Sequence, residues 1–417
     1  MLTIKKKRLS CSFPTSCVIT NRKRVDFYSV IFGMRWILYI QMRKPFSIHW
    51  SEVAHTYILC SIGETMNLFT KLNEENHEQL MFCTDPHSGL QAIICIHSTS
   101  LGPAIGGIRF FPYPSEQSAI QDALRLSKAM TYKSALAGLN LGGGNAVIIG
   151  ENGLKSEALF RSFGRYIESL NGRFIGGEDM NTTVEDMNHI RNETRWVLGS
   201  SVANRAGKTA SMTAYGVVQA MRACLEIKFG RTNIKGKRIA IQGVGSVGFQ
   251  VAKLLHEQGA ELLYYDLSRR NLNKVMEAFP GTIITDDFYE TDCDILSPCA
   301  VGGVLNQRTI PRLKASIIVG AANNQLEQEE SDAELLKERG ILYATDYAVN
   351  SGGLISVAAE LSGSSEQRAK EDTANIFNTI KRVVEYADTE NVNTWKAANH
   401  IAEQRMKSIA RLKNFFL

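Results

Sequence analysis

The fold is decided by residues 234–266, which read IKGKRIAIQGVGSVGFQVAKLLHEQGAELLYYD. Two apolar runs in this stretch, Arg238–Gln242 and Glu261–Tyr265, predict buried strands, and Gly248–Gln258 between them carries apolar residues at helical spacing. A glycine-rich turn separates the first strand from the helix. The stretch therefore predicts a strand–helix–strand unit, and such units build parallel sheets.

The turn has the spacing of a dinucleotide-binding motif, Gly243-Val244-Gly245-Ser246-Val247-Gly248. The first glycine permits a tight turn, the second lets the backbone approach a pyrophosphate, and the third lets helix and strand pack closely. Backbone N–H groups at the start of the helix then face the phosphates. The alternative is a structural glycine turn beside a surface Asp, and the strand before the turn and the helix after it favour the cofactor site.

Asp266 follows the second strand, 23 residues after Gly243. A carboxylate at this place accepts hydrogen bonds from the adenosine ribose and repels a 2′-phosphate, so the sequence favours NAD over NADP. Arg269 and Arg270 come soon afterwards and weaken this preference.

The alternation of strand and helix continues through short apolar runs at Ile283–Ile284, Ile295–Leu296, Ile317–Val319 and Ile341–Tyr343. We therefore expect an α/β protein with a doubly wound, Rossmann-type domain over residues 206–349. An α/β substrate-binding domain, residues 66–205, is predicted to precede it. The mostly helical segment 350–417 is expected to pack back on that first domain.

Local signals subdivide the first domain. Pro114 and Ser115 predict the start of a helix, with Ser115 as its N-cap and Glu116 in its positive first turn. The glycines of Gly102–Gly107 predict a turn, and the polar residues 201–210 predict a loop near the domain boundary.

The net charge of +5 comes from the beginning of the chain. Residues 1–65 hold ten Lys or Arg against three acidic residues, so residues 66–417 carry a net −2. The main body therefore gives no indication of binding to nucleic acid or to an anionic membrane. We expect residues 1–65 to be a poorly ordered basic extension, or upstream sequence before a natural start at Met66; a targeting segment and an interaction segment are the alternatives.

The eight cysteines are scattered, without Cys/His clusters at metal-ligand spacing, which predicts reduced thiols in a cytoplasmic protein without a metal site. A membrane span is not predicted, because the best apolar stretch, Tyr28 to Met42, is short and interrupted by Arg35.

Two places in the first domain carry candidate chemical groups. Lys133 lies three residues after Met130, beside the apolar stripe of its helix, where a lysine either extends along the surface or points into a cleft. Glu178 and Asp179 follow a predicted strand, where a carboxylate projects from the strand end or caps a helix around Thr183–Glu193.

These residues belong to motifs shared with one enzyme family. The motifs are LGPAIGGIR (101–109), MTYK (130–133), LNLGGG (139–144), GRFIGGED (172–179), TAYGV (213–217), PCAVGG (298–303), AANNQ (321–325) and DYAVNSGG (346–353). In this order, over essentially all of residues 66–417, the chain resembles the Glu/Leu/Phe/Val dehydrogenases and, within them, the leucine dehydrogenases. The resemblance implies reversible, NAD-dependent oxidative deamination of an L-amino acid to a 2-oxo acid and ammonia, by a homo-oligomer built through the first domain.

The resemblance also assigns roles to residues. Lys133 would hold the substrate α-carboxylate, and Asp179 would move a proton to and from the nitrogen. The nicotinamide would lie near Thr213, Asn324 and Asn350. The residues that match the side-chain pocket are Ile105, Gly106, Gly107, Gly177, Leu354 and Val357. This small, apolar and uncharged lining suits a branched aliphatic side chain and disfavours glutamate.

Asn145 stands where the family has its catalytic lysine. An amide does not titrate, so Asn145 can orient a water molecule but cannot serve as the general base. Three explanations stay open: a weakened or altered dehydrogenase, with Lys208 reaching in; a catalytically inactive NAD-binding paralogue with a regulatory or oligomer-partner role; or an accidental or engineered substitution in a leucine dehydrogenase. Ser211 is a second departure, since the family usually has proline there.

Overall fold

The computed structural model describes residues 25–32, 35–42, 67–199, 205–285 and 287–413. Near the beginning of the chain, β1 (Val25–Phe32) and β2 (Arg35–Met42) pair as an antiparallel hairpin, which the sequence analysis did not predict. The predictions for the rest of residues 1–65 lie outside the described residues. A second compact unit spans Phe69–Leu417 and contains two sheets.

The first sheet has five strands in the order β3-β4-β6-β5-β7. They are β3 (Gln79–Asp85), β4 (Leu90–Ser98), β5 (Ala104–Phe111), β6 (Gly142–Ile149) and β7 (Phe174–Glu178). The associated helices are α1 (Leu68–Glu74), α2 (Glu116–Leu136), α3 (Glu157–Ser169) and α4 (Val184–Arg191). β5 runs parallel to both of its neighbours, β6 and β7, whereas β4 runs antiparallel to β3 and β6.

Each face of the first sheet is covered by a helix. Phe160 and Phe163 of α3 pack in one apolar cluster with Ile108 of β5, and Ala123 of α2 packs in another with Ile93 of β4. α2 begins as predicted: the Ser115 hydroxyl accepts a hydrogen bond from the backbone N–H of Ser118, and Glu116 lies in the first turn. This fixed start orients α2 along the sheet.

The prediction of a glycine turn at Gly102–Gly107 is wrong, because β5 begins at Ala104. The glycines serve close packing between strands instead. A Cβ added at Gly106 would lie 1.7 Å from the carbonyl oxygen of Gly144, and one at Gly107 would lie 2.6 Å from the Cβ of Asp179. Glycine here is therefore required by its neighbours in space and not by its own backbone angles.

The second sheet is parallel throughout, in the order β10-β9-β8-β11-β12-β13. Its strands are β8 (Arg238–Gln242), β9 (Glu261–Tyr265), β10 (Thr282–Ile283), β11 (Ile295–Pro298), β12 (Ile317–Ile318) and β13 (Leu342–Tyr343). The order reverses direction beside β8, which is the Rossmann arrangement. The predicted two-domain α/β fold with a doubly wound sheet is confirmed.

The helices of this half are α5 (Arg205–Phe229), α6 (Ser246–His256), α7 (Arg269–Ala278), α8 (Glu329–Glu338) and α9 (Asp346–Val349). The loop predicted at 201–210 is wrong over residues 205–210, which form the first turns of α5; residues 201–204 lie outside the described part. The error arose because polarity was taken as a loop signal, whereas Thr209 in this segment lines an internal cavity.

The end of the chain is helical, as predicted. It forms α10 (Gly352–Leu361), α11 (Glu366–Ala374), α12 (Ile376–Thr389) and α13 (Thr394–Lys413). Glu403 of α13 accepts a hydrogen bond from Tyr132 of α2, and Arg405 donates to the carbonyl oxygen of Leu139. The helical return therefore reaches the first sheet's domain, while the domain boundaries 66–205, 206–349 and 350–417 stay predictions. None of the helices described is long and apolar enough to cross a membrane.

Candidate active-site cleft

A cavity of about 750 Å³ lies between the two sheets. β5, β6, β7 and α2 line it on one side, and the starts of α6 and α10, α5 and residues 323–324 line it on the other. Thirteen of the residues predicted for the site line this cavity: Ile105, Gly106, Gly107, Lys133, Asn145, Gly177, Asp179, Thr213, Ser246, Val247, Asn324, Leu354 and Val357. Tertiary folding thus brings together residues that are up to 252 positions apart in the chain.

The glycine loop has the backbone geometry that a dinucleotide requires. Gly243 has a φ of +87°, which glycine adopts without strain. A Cβ at Gly245 would have no described atom within 4 Å, so this glycine borders open space. A Cβ at Gly248 would lie 1.9 Å from the carbonyl oxygen of Gly243, so glycine lets α6 approach β8. These three positions match the turn, phosphate-approach and packing roles in order.

Asp266 lies beside this loop, immediately after β9. Its Oδ2 accepts a hydrogen bond from the backbone N–H of Val244 at 2.8 Å, and its Oδ1 accepts one from Ser268 at 2.7 Å. The carboxylate is thereby fixed against the glycine loop, where a ribose hydroxyl can reach it. The residues present therefore fit a dinucleotide with its pyrophosphate at the start of α6.

Lys133 points into the cleft and not along the surface. Its side chain is buried, and Nζ donates a hydrogen bond to Oδ1 of Asn323 at 3.1 Å. Burial lowers the pKa of Lys133 to about 8, against the opposing influence of the Asp346 and Asp179 carboxylates. The lysine is thus a cation in the cavity whose hydrogen-bond partner is neutral, which suits it to take a carboxylate.

Asp179 is held by a chain of charged and polar groups. Its Oδ2 accepts a hydrogen bond from Nε of Arg109 at 3.0 Å, and Nη1 of Arg109 donates to Asp122 at 3.0 Å. Tyr113 also donates to Asp122. The helix-cap alternative for Glu178–Asp179 is wrong, because Thr183 caps α4. Asp179 therefore presents an oriented carboxyl group to the cavity.

Asn145 is a buried residue of β6 whose side chain forms hydrogen bonds with backbone groups of β5 and β6. The side chain is 2 % exposed, its Oδ1 accepts a hydrogen bond from the backbone N–H of Gly107 at 3.0 Å, and its Nδ2 donates to the carbonyl oxygen of Ala146 at 3.2 Å. The structure describes no side chain for Lys208, so the idea that Lys208 replaces a base here lies outside the described residues. Asn145 contributes hydrogen bonds and no proton-transfer group.

The remaining cavity wall between Lys133 and β7 is small and apolar. Ile105 and Leu354 belong to one apolar cluster, with Leu198 and Val357 packed against it. Gly177 borders this wall, and a Cβ there would lie 3.8 Å from Leu198, in ordinary contact. A side chain of moderate size fits against this surface.

Of the residues predicted to lie near the nicotinamide, Thr213 and Asn324 line the cavity, whereas Asn350 is not part of its lining. Thr213 donates from Oγ1 to the carbonyl oxygen of Thr209. Asn350 is buried and donates to Asn323, while its Oδ1 has no hydrogen-bond partner among the described residues. Asn323 itself was missed, although it precedes the predicted Asn324. Arg109 was also missed as a site residue; a basic residue inside a buried strand was the available signal.

Similarity to known proteins agrees with this geometry. The model described as "Glu/Leu/Phe/Val dehydrogenase, dimerisation domain" matches residues 77–196, and the one described as "Glutamate/Leucine/Phenylalanine/Valine dehydrogenase" matches 207–265 and 265–413. The chain belongs to the Glu/Leu/Phe/Val dehydrogenase family. It is therefore an oxidoreductase of the amino-acid dehydrogenase type, as predicted.

Individual members of the family match almost along their whole length. A leucine dehydrogenase from Bacillus subtilis is 46% identical over 84% of this chain and 97% of its own. A phenylalanine dehydrogenase from Bacillus thermotolerans is 44% identical over 85% of this chain and 94% of its own. The crystal structure of L-tryptophan dehydrogenase from Nostoc punctiforme is similar with a TM-score of 0.72 at 42% identity, over 82% of this chain and 99% of that one. The relatives thus share the family and differ in the hydrophobic amino acid they are named for.

Proposed function

We propose that this protein catalyses NAD-dependent oxidative deamination of an aliphatic, branched-chain L-amino acid to the 2-oxo acid and ammonia. One observation carries the proposal: Lys133, Asp179, an apolar wall and the start of the glycine-loop helix line one cavity. This arrangement supplies a cation for a carboxylate, a carboxylate for proton transfer and a place for the dinucleotide. Leucine dehydrogenases are among its most similar relatives.

In this proposal each polar residue has one task. The Lys133 ammonium exchanges the neutral oxygen of Asn323 for the substrate carboxylate, which is a stronger partner. Asp179 accepts a proton from the substrate nitrogen and is kept in place by Arg109. Ile105, Gly177, Leu354 and Val357 surround the side chain, and their lack of charge disfavours glutamate.

NAD is the proposed cofactor, held at Gly243, Gly245, Gly248 and Asp266. The Asp266 carboxylate favours a ribose with a free 2′-hydroxyl over one with a 2′-phosphate. Thr213 and Asn324 would hold the nicotinamide end from the cavity lining, and Asn350 would support them from behind it. When bound, the nicotinamide ring supplies the two-electron oxidising capacity.

Asn145 lowers the expected rate. The reaction also needs a base that activates water, and the loss of a general base costs about 10²–10⁴-fold. A catalytically inactive, NAD-binding role in regulation or in an oligomer is the second candidate. The buried, hydrogen-bonded Asn145 favours it, because the amide is accommodated as a structural residue.

One assay separates the two candidates. NADH formation is followed at its absorbance band with L-leucine, L-valine and L-phenylalanine, for the unmodified chain and for Asn145→Lys. Activity of the unmodified chain removes the inactive-paralogue candidate. Activity that appears with Asn145→Lys alone supports a dehydrogenase site disabled at residue 145. Inactivity of both forms, with NADH binding intact, rejects the dehydrogenase proposal.

Two broader features belong to the same proposal. We expect a homo-oligomer built through the first domain, whose family description names dimerisation. We also expect a cytoplasmic location, since the five cysteines of the described part are free thiols. The proposed partners are the small L-amino acid and 2-oxo acid, without nucleic acid or membrane.

A further inference from the structure

The strand that carries Asn145 has an interruption beside it. β5 pairs with β6 through Ile105 and Gly143, and the pairing resumes at Ile108 and Ala146. Between these points, the side-chain oxygen of Asn145 accepts the backbone N–H of Gly107. The amide thus satisfies a backbone donor that has no partner in the interrupted part of the β5–β6 ladder. A lysine ammonium has donors only and cannot accept this hydrogen bond.

Among the described residues, the side chains that line the cavity include more carboxylates than cations. Among the described residues that line it, Arg109 and Lys133 are cationic, whereas Glu178, Asp179 and Glu360 are acidic. Arg109 already pairs with Asp179 and with Asp122 outside the lining. Once Lys133 holds a ligand carboxylate, the neutral Asn145 and the carboxylate of Asp179 are among the groups left to face the ligand's α-substituent.

An α-amino acid and its 2-oxo acid differ in the group that they present to Asn145 and Asp179. The amino acid offers an ammonium, which a carboxylate and an amide oxygen stabilise. The oxo acid offers a carbonyl oxygen, which a carboxylate repels and which finds one free amide hydrogen of Asn145 at most. The two ligands share the same carboxylate and side chain, so their affinities differ only through this region.

We propose that Asn145 is a specificity-determining residue that makes the cleft select the amino acid, in its ammonium form, over the corresponding 2-oxo acid. This inference rests on the proposed function, since it takes the cleft as the amino-acid site. The cause is electrostatic, because residue 145 brings no positive charge to the cavity that Asp179 also lines. The hydrogen bond from the backbone N–H of Gly107 holds the neutral amide in place.

The test is calorimetric titration of the full chain with L-leucine and with 4-methyl-2-oxopentanoate. NADH is present and ammonia is absent, so that neither ligand undergoes amino-acid turnover. The quantity compared is the ratio of the two Kd values at pH 6.5. This pH lies about four units below the ordinary pKa of lysine, which favours the charged form of a lysine introduced at residue 145.

Three variants separate charge from structure. Asn145→Lys should shift the ratio toward the oxo acid by about tenfold or more, since it adds a unit charge near the ligand. Asn145→Met has a similar length without charge and loses the same acceptor, so it should change the ratio far less than Asn145→Lys does. Asp179→Asn removes the partner of the ammonium and should reduce the preference for L-leucine in the presence of Asn145.

Specific outcomes overturn the inference. Tighter binding of the oxo acid by the unmodified chain contradicts it directly. Equal ratios for the Lys and Met variants show that residue 145 acts through the Gly107 hydrogen bond alone. Both results leave the proposed function standing. Failure of both ligands to bind while NADH binds rejects the proposed function itself, and the inference with it.

Discussion

The cofactor end and the amino-acid end of the cleft are built from different kinds of sequence. The cofactor end uses one continuous stretch, in which Gly243, Gly245 and Gly248 act through the backbone. The amino-acid end uses separate strands and helices that deliver Lys133 and Asp179. At the cofactor end, a departure from the family's pattern would be the loss of a glycine. At the amino-acid end the departure is Asn145, which changes the chemistry of a side chain.

The two ends also differ in how much a substitution disturbs the fold. Backbone geometry in the glycine loop supports the packing of α6 on β8, so a substitution there disturbs the fold as well as binding. Residue 145 carries a side chain, and asparagine there makes hydrogen bonds of its own. The structure therefore accepts a change that removes a titratable group while keeping the cleft's walls.

The largest effect is expected from Asp179→Asn, which tests the amino-acid end. Turnover should fall by about 10²–10⁴-fold, because the amide still accepts from Arg109 but cannot take a proton. The rate is measured by NADH absorbance. If the unmodified chain turns over too slowly to measure, the comparison is made in the Asn145→Lys background. Asp122→Asn, which disturbs Arg109 from outside the cavity, is the matched control, and an equal loss there would indicate a structural role only.

A smaller effect is expected from Lys133→Met, which removes the ammonium at similar length. Affinity for 4-methyl-2-oxopentanoate should fall by roughly 2 kcal/mol or more, about thirtyfold, since a desolvated carboxylate loses its charged partner. NADH affinity should stay constant. Lys128→Met on the same helix is the control, because Lys128 is absent from the lining of this cavity; similar losses in both variants would contradict the carboxylate role.

Substitution of the glycine loop should affect the cofactor end. Gly248→Ala should weaken NADH binding by about tenfold and lower the melting temperature, since overpacking costs about 1–3 kcal/mol. Gly245→Ala should weaken NADH binding without lowering the melting temperature, because its Cβ points into open space among the described residues. Fluorescence titration and thermal denaturation check both, and unchanged NADH affinity in Gly245→Ala would show that the phosphates lie elsewhere.

The smallest effect is a pH dependence at the amino-acid end. Lys133 binds a carboxylate in its charged form, and burial lowers its pKa to about 8. Affinity for 4-methyl-2-oxopentanoate, which has no titrating amine, should therefore be full well below pH 8 and fall as the pH rises through 8. The expected loss is roughly fourfold between pH 7 and 8.5 from the fraction charged. Lys133→Met should give a flat profile, and NADH affinity should not follow this curve.

Much of the site was predictable because its motifs are local. Gly243, Gly245, Gly248 and Asp266 lie within one strand–helix–strand unit, and short-range periodicity identifies such a unit. Lys133 and Asp179 were identified through the motifs around them. The local sequence around Lys133 and Asp179 left a structural alternative open for each. The structure removes both alternatives, because Lys133 is buried and donates to Asn323, and because Thr183 caps α4.

The errors share a cause: glycine and polar residues were interpreted from their immediate neighbours in sequence, without the contacts that they make with distant segments. Gly106 and Gly107 read as a turn, but a neighbouring strand occupies the space where their side chains would be. Residues 205–210 read as a loop from their polarity, but they form the beginning of α5. In each case a contact with a distant segment decided the conformation.

The sequence by itself determined the dinucleotide motif, the two α/β patterns and the presence of asparagine at residue 145, since each is a property of neighbouring residues or of one position. The tertiary structure alone decided what Asn145 does. Its amide meets the Gly107 N–H only because β5 lies beside β6 with an interrupted ladder, and its neutral charge matters only because Asp179 and Lys133 line the same cavity. Such effects depend on distances in space, which spacing along the chain does not contain.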